Sequence, residues 1–415
     1  MLEVLLSIGC VALMCHWMLT VNSLILFLLF LMLLIYDEGV YLLSVIFSML
    51  SLWLIIMMLM SVDQSLKSHE LLIICLLMIF SLIIVFISES MIMFYVGFEM
   101  SIIPILLIIF GWGYQPDRIE AGIYLLSYTV FFSLPLLLSI FYMDYFKLFK
   151  GFISCLMIFM AFLAKFPMVG VHVWLPRAHV EAPVFGSMIL AGIMLKLGGY
   201  GLIKMSFLWG DLLFQHSSMI IVVSLIGGTL LSGVCFMQSD MKMLIAYSSI
   251  VHMSLVISGL FSMTELALWG SILIMMGHGF CSSGLFCVLG LTYNRTLSRS
   301  VYLNKGIISL MPICSLWWFL FCSSNLSFPP SMNLPGELFL FTAILSWSNN
   351  LFIFVIVFSL ISSMYSIYLF SFSQQGPTMK FFSFNNITVK ESVLMCLHWI
   401  PLNILILDLS VMSVY

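Results

Sequence analysis

Four charged residues lie where a membrane protein can least accommodate charge: Glu99, Lys165, Lys196 and Glu337 each sit well inside an apolar run. A charge at the centre of a bilayer costs about 2.5–3.5 kcal/mol on insertion scales. Four of them, unpaired, would cost on the order of 10 kcal/mol, comparable with the stability of a whole domain. Two acids and two bases are the right number to compensate one another, so they are expected to face each other, or water, inside a bundle. Burial favours a neutral amine and a nearby carboxylate favours an ammonium, so a lysine near an acid at a variable distance is a proton-loading group. His172, His252 ("SSIVHMSLV") and His278 ("MMGHGFCSSG") add imidazoles in three different apolar runs. Imidazole accepts a proton on one nitrogen and donates from the other. Together these residue types point to proton transfer through hydrocarbon.

Two stretches interrupt their helices beside such groups. In "MAFLAKFPMVGVHVWLPRAHVEAP" (160–183), Pro167 deprives the Leu163 carbonyl of its usual donor, and Pro176 does the same to the His172 carbonyl. Freed carbonyls at membrane depth are tolerated only beside protein or water. In "FPPSMNLPGELFLF" (328–341), Pro329, Pro330, Pro335 and Gly336 form a second break. Glu337 is expected in the first turn of the restarted helix, where the helix dipole favours a carboxylate. Broken helices at corresponding places in two halves of a chain point to inverted repeats around a transport site.

The elements that must hold these residues follow from composition. Of 415 residues 63% are hydrophobic and 7% charged, and the mean hydropathy is +1.22. A soluble domain carries roughly a quarter charged residues, so lipid is the solvent for most of this chain. Long apolar runs, rather than short alternating ones, predict an all-α membrane protein and exclude a β-barrel. About 14 spans are expected, near 2–19, 22–36, 40–62, 71–88, 91–110, 120–143, 151–173, 184–209, 217–236, 243–261, 265–291, 307–346 (interrupted), 351–373 and 393–412. They form one transmembrane domain: N-terminal spans over 1–62, a first five-helix repeat over 71–209, a second over 217–373 and a C-terminal span over 393–412. Lys67, Arg118, Arg177, Lys242, Arg295, Arg299, Lys305, Lys380 and Lys390 follow odd-numbered spans, whereas Lys147, Lys150 and Lys204 follow even ones. The odd-loop side therefore reads as the inner compartment.

Several function classes are excluded or disfavoured. The longest polar stretches, near 291–306 and 374–392, cannot hold a nucleotide fold, and no glycine-rich phosphate loop occurs. A net charge of −3 argues for no nucleic-acid partner. The 10 cysteines include no CxxC pair and read as small apolar residues. His172, His179 and Glu181 lack metal-site spacing and read as a structural turn. Glu3 stands where a secretory signal would be basic, so the N-terminus reads as a retained span. The 33 methionines suggest an organelle-type genetic code.

The stretches "FEMSIIPILLIIFGWGYQPDRIEAGIYLLSYT", "AFLAKFPMVGVHVWLPRAHVEAPVFGSMILAGIMLKLGGYG", "SDMKMLIAYSSIVHMSLV", "HGFCSSGLFCVLGLTYNRTLSRS" and "PPSMNLPGELF" occur in this order. In them the chain resembles the antiporter-like membrane subunits of respiratory complex I, the mitochondrial NADH:ubiquinone oxidoreductase, which are related to sodium/proton antiporters. The resemblance covers roughly residues 90–375; the first 85 or so match in hydropathy alone and look shortened. It implies a 14-helix proton-translocating module of the inner mitochondrial membrane, packed against other membrane-arm subunits. NADH, FMN, iron–sulfur clusters and ubiquinone would be handled by other subunits, and this chain is expected to bind no cofactor. The family's fifth-helix acid falls on Glu99, its seventh-helix lysine on Lys165, its eighth-helix lysine on Lys196 and its exit-side acid on Glu337. His172, His252 and His278 match polar positions on the hydrated axis. Among the family's sister chains a glutamate at the twelfth-helix break marks one and a lysine marks two others, so Glu337 sorts this chain with the first. Pro335 departs from the pattern, which has an apolar residue before the Gly-Glu pair.

Two other readings stay open at this level. A stand-alone cation/proton antiporter would share the four charges and both breaks. A structural anchor would use the Lys/Glu set as static ion pairs and the histidines as hydrogen-bonded core residues.

Overall fold

A computed structural model describes residues 16–34, 42–142, 151–377 and 386–409. Every regular element among them is a helix: α1 (Trp17–Leu34), α2 (Leu42–Ser61), α3 (His69–Ile87), α4 (Met91–Met100), α5 (Ile102–Trp112), α6 (Arg118–Phe141), α7 (Phe152–Lys165), α8 (Trp174–Glu181), α9 (Val184–Ile189), α10 (Leu195–Cys235), α11 (Met241–Phe261), α12 (Glu265–Thr296), α13 (Ile307–Leu310), α14 (Pro312–Asn325), α15 (Asn333–Trp347), α16 (Phe352–Gln374) and α17 (Val389–Ile404). The all-α membrane fold expected from hydropathy is the fold observed. Ten helices among the described residues are long and apolar enough to cross a bilayer, and Trp17–Met32 and Phe152–Lys165 are shorter apolar helices. The expected second span begins earlier than its hydropathy suggested, at Trp17. The span expected over 2–19 lies outside the described residues, except for residues 16–19, of which 17–19 belong to α1. Lys147, Lys150 and Lys380, used above for orientation, also lie outside them.

Apolar character alone does not say which helices are central; burial does. The segment Val184–Gly210, together with α11 and α12, is buried almost throughout, whereas α6, α16 and α17 turn most of their surface outward. Large aliphatic and aromatic side chains such as Ile123, Phe131, Ile353 and Ile367 are exposed there, as a lipid-facing surface requires. The three central elements carry Lys196, His252 and His278. Their close packing against neighbouring helices depends on missing side chains. A Cβ on Gly198 would stand 2.7 Å from the Phe166 amide nitrogen, and one on Gly192 would stand 2.4 Å from Leu54 Cδ1. From α10, Tyr200 donates to the Phe86 carbonyl at 2.8 Å, and Lys204 donates to the Ser88 carbonyl. The last turn of α3 is thus capped by side chains from the centre of the bundle.

Two helices are broken in the same way. After α7, the Met168 amide donates to the Leu163 carbonyl at 3.0 Å, the Val171 amide to the Met168 carbonyl at 3.1 Å and the Leu175 amide to the His172 carbonyl at 3.0 Å. After α14, the Phe328 amide donates to the Ser323 carbonyl at 3.0 Å, the Ser331 amide to the Phe328 carbonyl at 3.1 Å and the Leu334 amide to the Ser331 carbonyl at 3.1 Å. Each second half is tied back by its first side chain. Trp174 Nε1 donates to the Ala164 carbonyl at 2.9 Å, and Asn333 Nδ2 to the Ser324 carbonyl at 2.9 Å. The receiving carbonyl is in both cases that of the penultimate residue of the first half.

This pattern corrects several expectations about the breaks. The Leu163 and His172 carbonyls are not left free, because amides one residue beyond or before the usual donor recapture them. Pro167 lies in the first gap and Pro329 and Pro330 in the second, but Pro176 and Pro335 are each the third residue of a restarted helix. There a missing amide hydrogen removes no intrahelical bond. Pro335 therefore mirrors Pro176 rather than lengthening the break. Gly336 also lies inside α15, where a Cβ would stand 2.7 Å from Ile274 Cγ1, so its role is close packing against α12. Glu337 is consequently the fifth residue of α15, one turn beyond the position expected from the sequence.

Candidate functional site

The centre of the bundle holds a line of polar side chains contributed by separate helices. Lys196 enters at the start of α10, just after a π-helical turn over Leu190–Met194. A π turn widens the helix and re-aims the residues that follow. Lys196 is fully buried, and its Nζ donates to the Ala191 carbonyl of that turn at 2.7 Å. The same Nζ lies 2.9 Å from His278 Nδ1 on α12. In one arrangement the lysine donates to a bare Nδ1; in the other a protonated Nδ1 donates to a neutral amine. The two differ only in the position of one proton.

The line continues through a second imidazole. The His278 and His252 rings are near neighbours, with centroids 5.6 Å apart and planes inclined at 53°. His252 Nε2 is 3.0 Å from the Tyr365 hydroxyl, and its Nδ1 is 3.5 Å from Glu337 Oε1. The histidines and Tyr365 are almost wholly buried, while the Glu337 side chain keeps 15% of its surface. Glu337 is thus the outermost member, and Gly336 beside it lets α15 approach α12 closely enough to carry the carboxylate in.

Lys165 and Glu99 form a separate group. Pro104 in α5 withholds the amide that would bond the Met100 carbonyl, and the helix divides at Ser101. The Phe98 carbonyl, in the turn before this division, accepts from Ser101 Oγ at 2.7 Å and from Lys165 Nζ. The ammonium also lies over the Phe98 ring, 3.2 Å from its centroid. Glu99 is next in sequence and within electrostatic range of Lys165, yet its buried Oε1 has no hydrogen-bond partner among the described residues.

The expected mutual pairing of the four charges is therefore not what the structure shows. Among the described residues no Lys–Glu contact joins any of Glu99, Lys165, Lys196 and Glu337; the lysines bond to carbonyls and an imidazole, and Glu337 faces a histidine. The physical reason is reach: each charge emerges on a different helix, and the nearest polar groups are backbone oxygens freed at a π turn or a division, or imidazoles. His172 joins none of the others. It is half-buried in the gap between α7 and α8, accepts from the Gly170 amide at 3.3 Å and has its ring 6.5 Å from that of Tyr247. Gly170 has φ +102°, a conformation that needs glycine. Among the described residues no cluster of His, Cys, Asp and Glu is arranged to hold a metal.

Sequence reasoning missed two participants. Tyr365 is one of 15 tyrosines, with nothing local to distinguish it. Lys242 was counted among loop charges, but it lies in the first turn of α11, 2% exposed, with its Nζ donating to the Ala182 carbonyl at 2.8 Å.

A family model described as "NADH:quinone oxidoreductase/Mrp antiporter, TM" matches residues 88–362. The chain is 47% identical over 348 residues to the NADH-ubiquinone oxidoreductase chain 4 of Ceratitis capitata, covering 81% of this chain and 78% of that one. It is 50% identical over 327 residues to the chain 4 of Aedes aegypti, covering 75% and 73%. Its fold is similar to that of a chain in respiratory complex I from Thermus thermophilus with bound NADH, with TM-score 0.85 at 19% identity over 99% of this chain and 98% of that one. It is also similar to a chain of the membrane-bound sulfane sulfur reductase, an archaeal respiratory membrane complex, with TM-score 0.84 at 18% identity over 97% and 75%.

Proposed function

The chain belongs to the NADH:quinone oxidoreductase/Mrp antiporter membrane family, and from that membership we propose that it works as the chain 4 subunit of a respiratory NADH:ubiquinone oxidoreductase, moving protons along Lys196, His278, His252 and Glu337. The setting is the mitochondrial inner membrane, against the neighbouring antiporter-like chains. Electron transfer takes place in other subunits, and this chain binds no NADH, flavin, iron–sulfur cluster or quinone.

One observation carries the reading: four titratable side chains from four helices stand in sequence, with Nζ–Nδ1 at 2.9 Å, ring centroids 5.6 Å apart and Nδ1–Oε1 at 3.5 Å. A proton on Lys196 passes to His278 Nδ1. The imidazolium releases its other proton by way of the Tyr365 hydroxyl, which passes a proton to His252 Nε2 and is itself reprotonated, while Glu337 accepts from His252 Nδ1. Tyr365 holds His252 Nε2 and so fixes which nitrogen faces the carboxylate. The first transfers move a positive charge from residue to residue toward Glu337, and the last neutralises the carboxylate.

The Glu99–Lys165 group supplies the coupling. Lys165 bonded to a carbonyl, with Glu99 Oε1 unpartnered and no Glu99–Lys165 contact among the described residues, corresponds to the separated state of an acid–base pair. Closure of that pair changes the field felt at Lys196 across the α7–α10 packing at Gly198. Redox chemistry elsewhere drives the closure, and a change of charge at Glu337 passes the signal to the next subunit or releases the proton.

The test is Glu337→Gln in the assembled complex, measuring NADH-driven proton pumping and ubiquinone reduction. The reading expects intact assembly with both activities severely reduced. Normal pumping with a neutral amide at this position would refute it. Recovery of the chain with a large redox complex, rather than with other antiporter chains alone, separates the reading from a stand-alone cation/proton antiporter.

A further inference from the structure

One buried imidazole takes no part in this line. His179 in α8 is fully buried, and neither ring nitrogen has a hydrogen-bond partner among the described residues. Buried polar groups are nearly always satisfied by protein or by ordered water. The ring lies flat on Phe286 of α12, with centroids 4.8 Å apart and planes 4° from parallel. Stacking fixes the plane of the ring and leaves both nitrogens available.

The surroundings of His179 are built of fixed cations and free acceptors. Lys242 donates to the carbonyls of Ala182 at 2.8 Å and Val180 at 3.4 Å, and Arg299 donates to the Val180 carbonyl at 2.8 Å. The turn after α8 is thereby clamped from α11 and from the segment following α12. Glu181, only 7% exposed, has its Oε2 unpartnered among the described residues. A cavity of about 370 Å³ reaches Glu181 from outside, lined also by Asp117, Glu120, Arg177, Val180 and Asp240. It opens at the end of the bundle where Arg118, Arg177 and Arg299 gather, the side expected to face the inner compartment. On the inner side, His179 is within electrostatic range of Lys196, and His278 is within range of His179. Phe286 lies two turns from His278 on α12, about 12 Å along the helix axis.

We propose that Glu181 and His179 form an access branch that delivers protons from this cavity to Lys196; the proposal rests on the reading of Lys196 to Glu337 as the conducting line. Water in the cavity protonates the Glu181 carboxylate. The acid passes its proton through water to one nitrogen of His179, and the imidazolium releases the proton on its other nitrogen, through water, toward Lys196. Half a turn of the ring about its Cβ–Cγ bond keeps it flat on Phe286 and restores the starting tautomer. Every proton released inward is replaced by one from the cavity, and no electron moves. Lys242 and Arg299 are positioning residues, since they hold the turn that aims Glu181 and His179.

The experiment uses the assembled complex carrying His179→Gly, Glu181→Gln or, for comparison, Lys196→Met. NADH-driven pumping in H179G is expected to fall at least tenfold, since a single acid–base group contributes roughly 100-fold or more to its own transfer step. Added imidazole restores pumping in H179G, whereas pyrazole, a ring of the same size that scarcely takes up a proton at neutral pH, does not. E181Q leaves the Phe286 stack untouched and slows pumping in the same sense. Undiminished pumping in both H179G and E181Q overturns the branch. So does equal rescue by the two rings, which marks a packing role, and so does rescue by neither. If K196M is blocked while H179G and E181Q pump normally, the branch alone fails; if K196M pumps normally, the conducting line itself fails.

Discussion

Lys196 Nζ and His278 Nδ1 stand 2.9 Å apart on neighbouring central helices, with no carboxylate in contact with either among the described residues. A static clasp would match a buried ammonium with an anion, because only a close opposite charge offsets its desolvation. Two bases sharing one hydrogen bond instead make a site where a proton can sit on either partner. Replacing His278 by leucine removes one of these and leaves the amine with a single carbonyl partner. In His278→Leu the pumping rate is expected to fall by about 100-fold or more, as for loss of an acid–base group. The assembled complex, analysed by native electrophoresis, should still form.

Tyr365 is read as the residue that sets the orientation of His252. Tyr365→Phe deletes the hydroxyl 3.0 Å from His252 Nε2 and leaves a buried nitrogen unpaired. The expected loss is about 1–3 kcal/mol of stability. Pumping should drop while ubiquinone reduction by the uncoupled enzyme is less affected. Thermal unfolding of the complex, together with pumping measured before and after an uncoupler, checks both parts.

The approach of α10 to the end of α7 depends on Gly198. A methyl group there would lie 2.7 Å from the Phe166 amide nitrogen and 3.0 Å from the Phe162 carbonyl oxygen, both backbone atoms that cannot rotate away. Gly198→Ala is expected to destabilise by about 1–3 kcal/mol or more. It should also displace Lys165 from Lys196, so pumping falls further than folding. Gly111→Ala, where a Cβ meets nothing within 4 Å, is the matched control and should change neither.

Two ion pairs at the bundle surface should differ in worth. Arg177–Glu120 has side chains 45% and 61% exposed, whereas Arg295–Glu391 has 11% and 23%. Glu391 also closes a capping box with Thr388 at the start of α17. Glu120→Gln is expected to change thermal stability by less than about 1 kcal/mol. Glu391→Ala should cost about 1–3 kcal/mol, through a charge-assisted bond and half of a capping box lost together. Melting curves of the two variants at low and high salt separate the cases.

Much of this was legible in the sequence, for reasons that can be stated residue by residue. Glu99, Lys165, Lys196 and Glu337 announce themselves because charge in hydrocarbon is expensive wherever the chain goes. The two breaks were legible through Pro167 and Pro329–Pro330, since proline acts on its own helix. Partnerships were not legible. Lys196 and His278 are 82 residues apart, and His252 and Tyr365 are 113 apart, so the pairing is decided by how helices pack. The identical roles of Pro176 and Pro335 were hidden because the sequence shows a proline but not where the helix restarts. Lys242 looked like a loop charge because burial of a first-turn residue depends on the neighbouring turn at 180–182, not on local hydropathy.

The central claim is that His278 and His252 belong to one solvent-connected file rather than to separate packed contacts. A high-resolution map of the assembled complex, read for ordered water along the mid-membrane axis, tests this most directly. The account predicts density for water bridging the two imidazoles, with further water between Lys165 and Lys196. A gap between the rings filled by side-chain carbon, with no ordered solvent from Lys165 to Glu337, would contradict it.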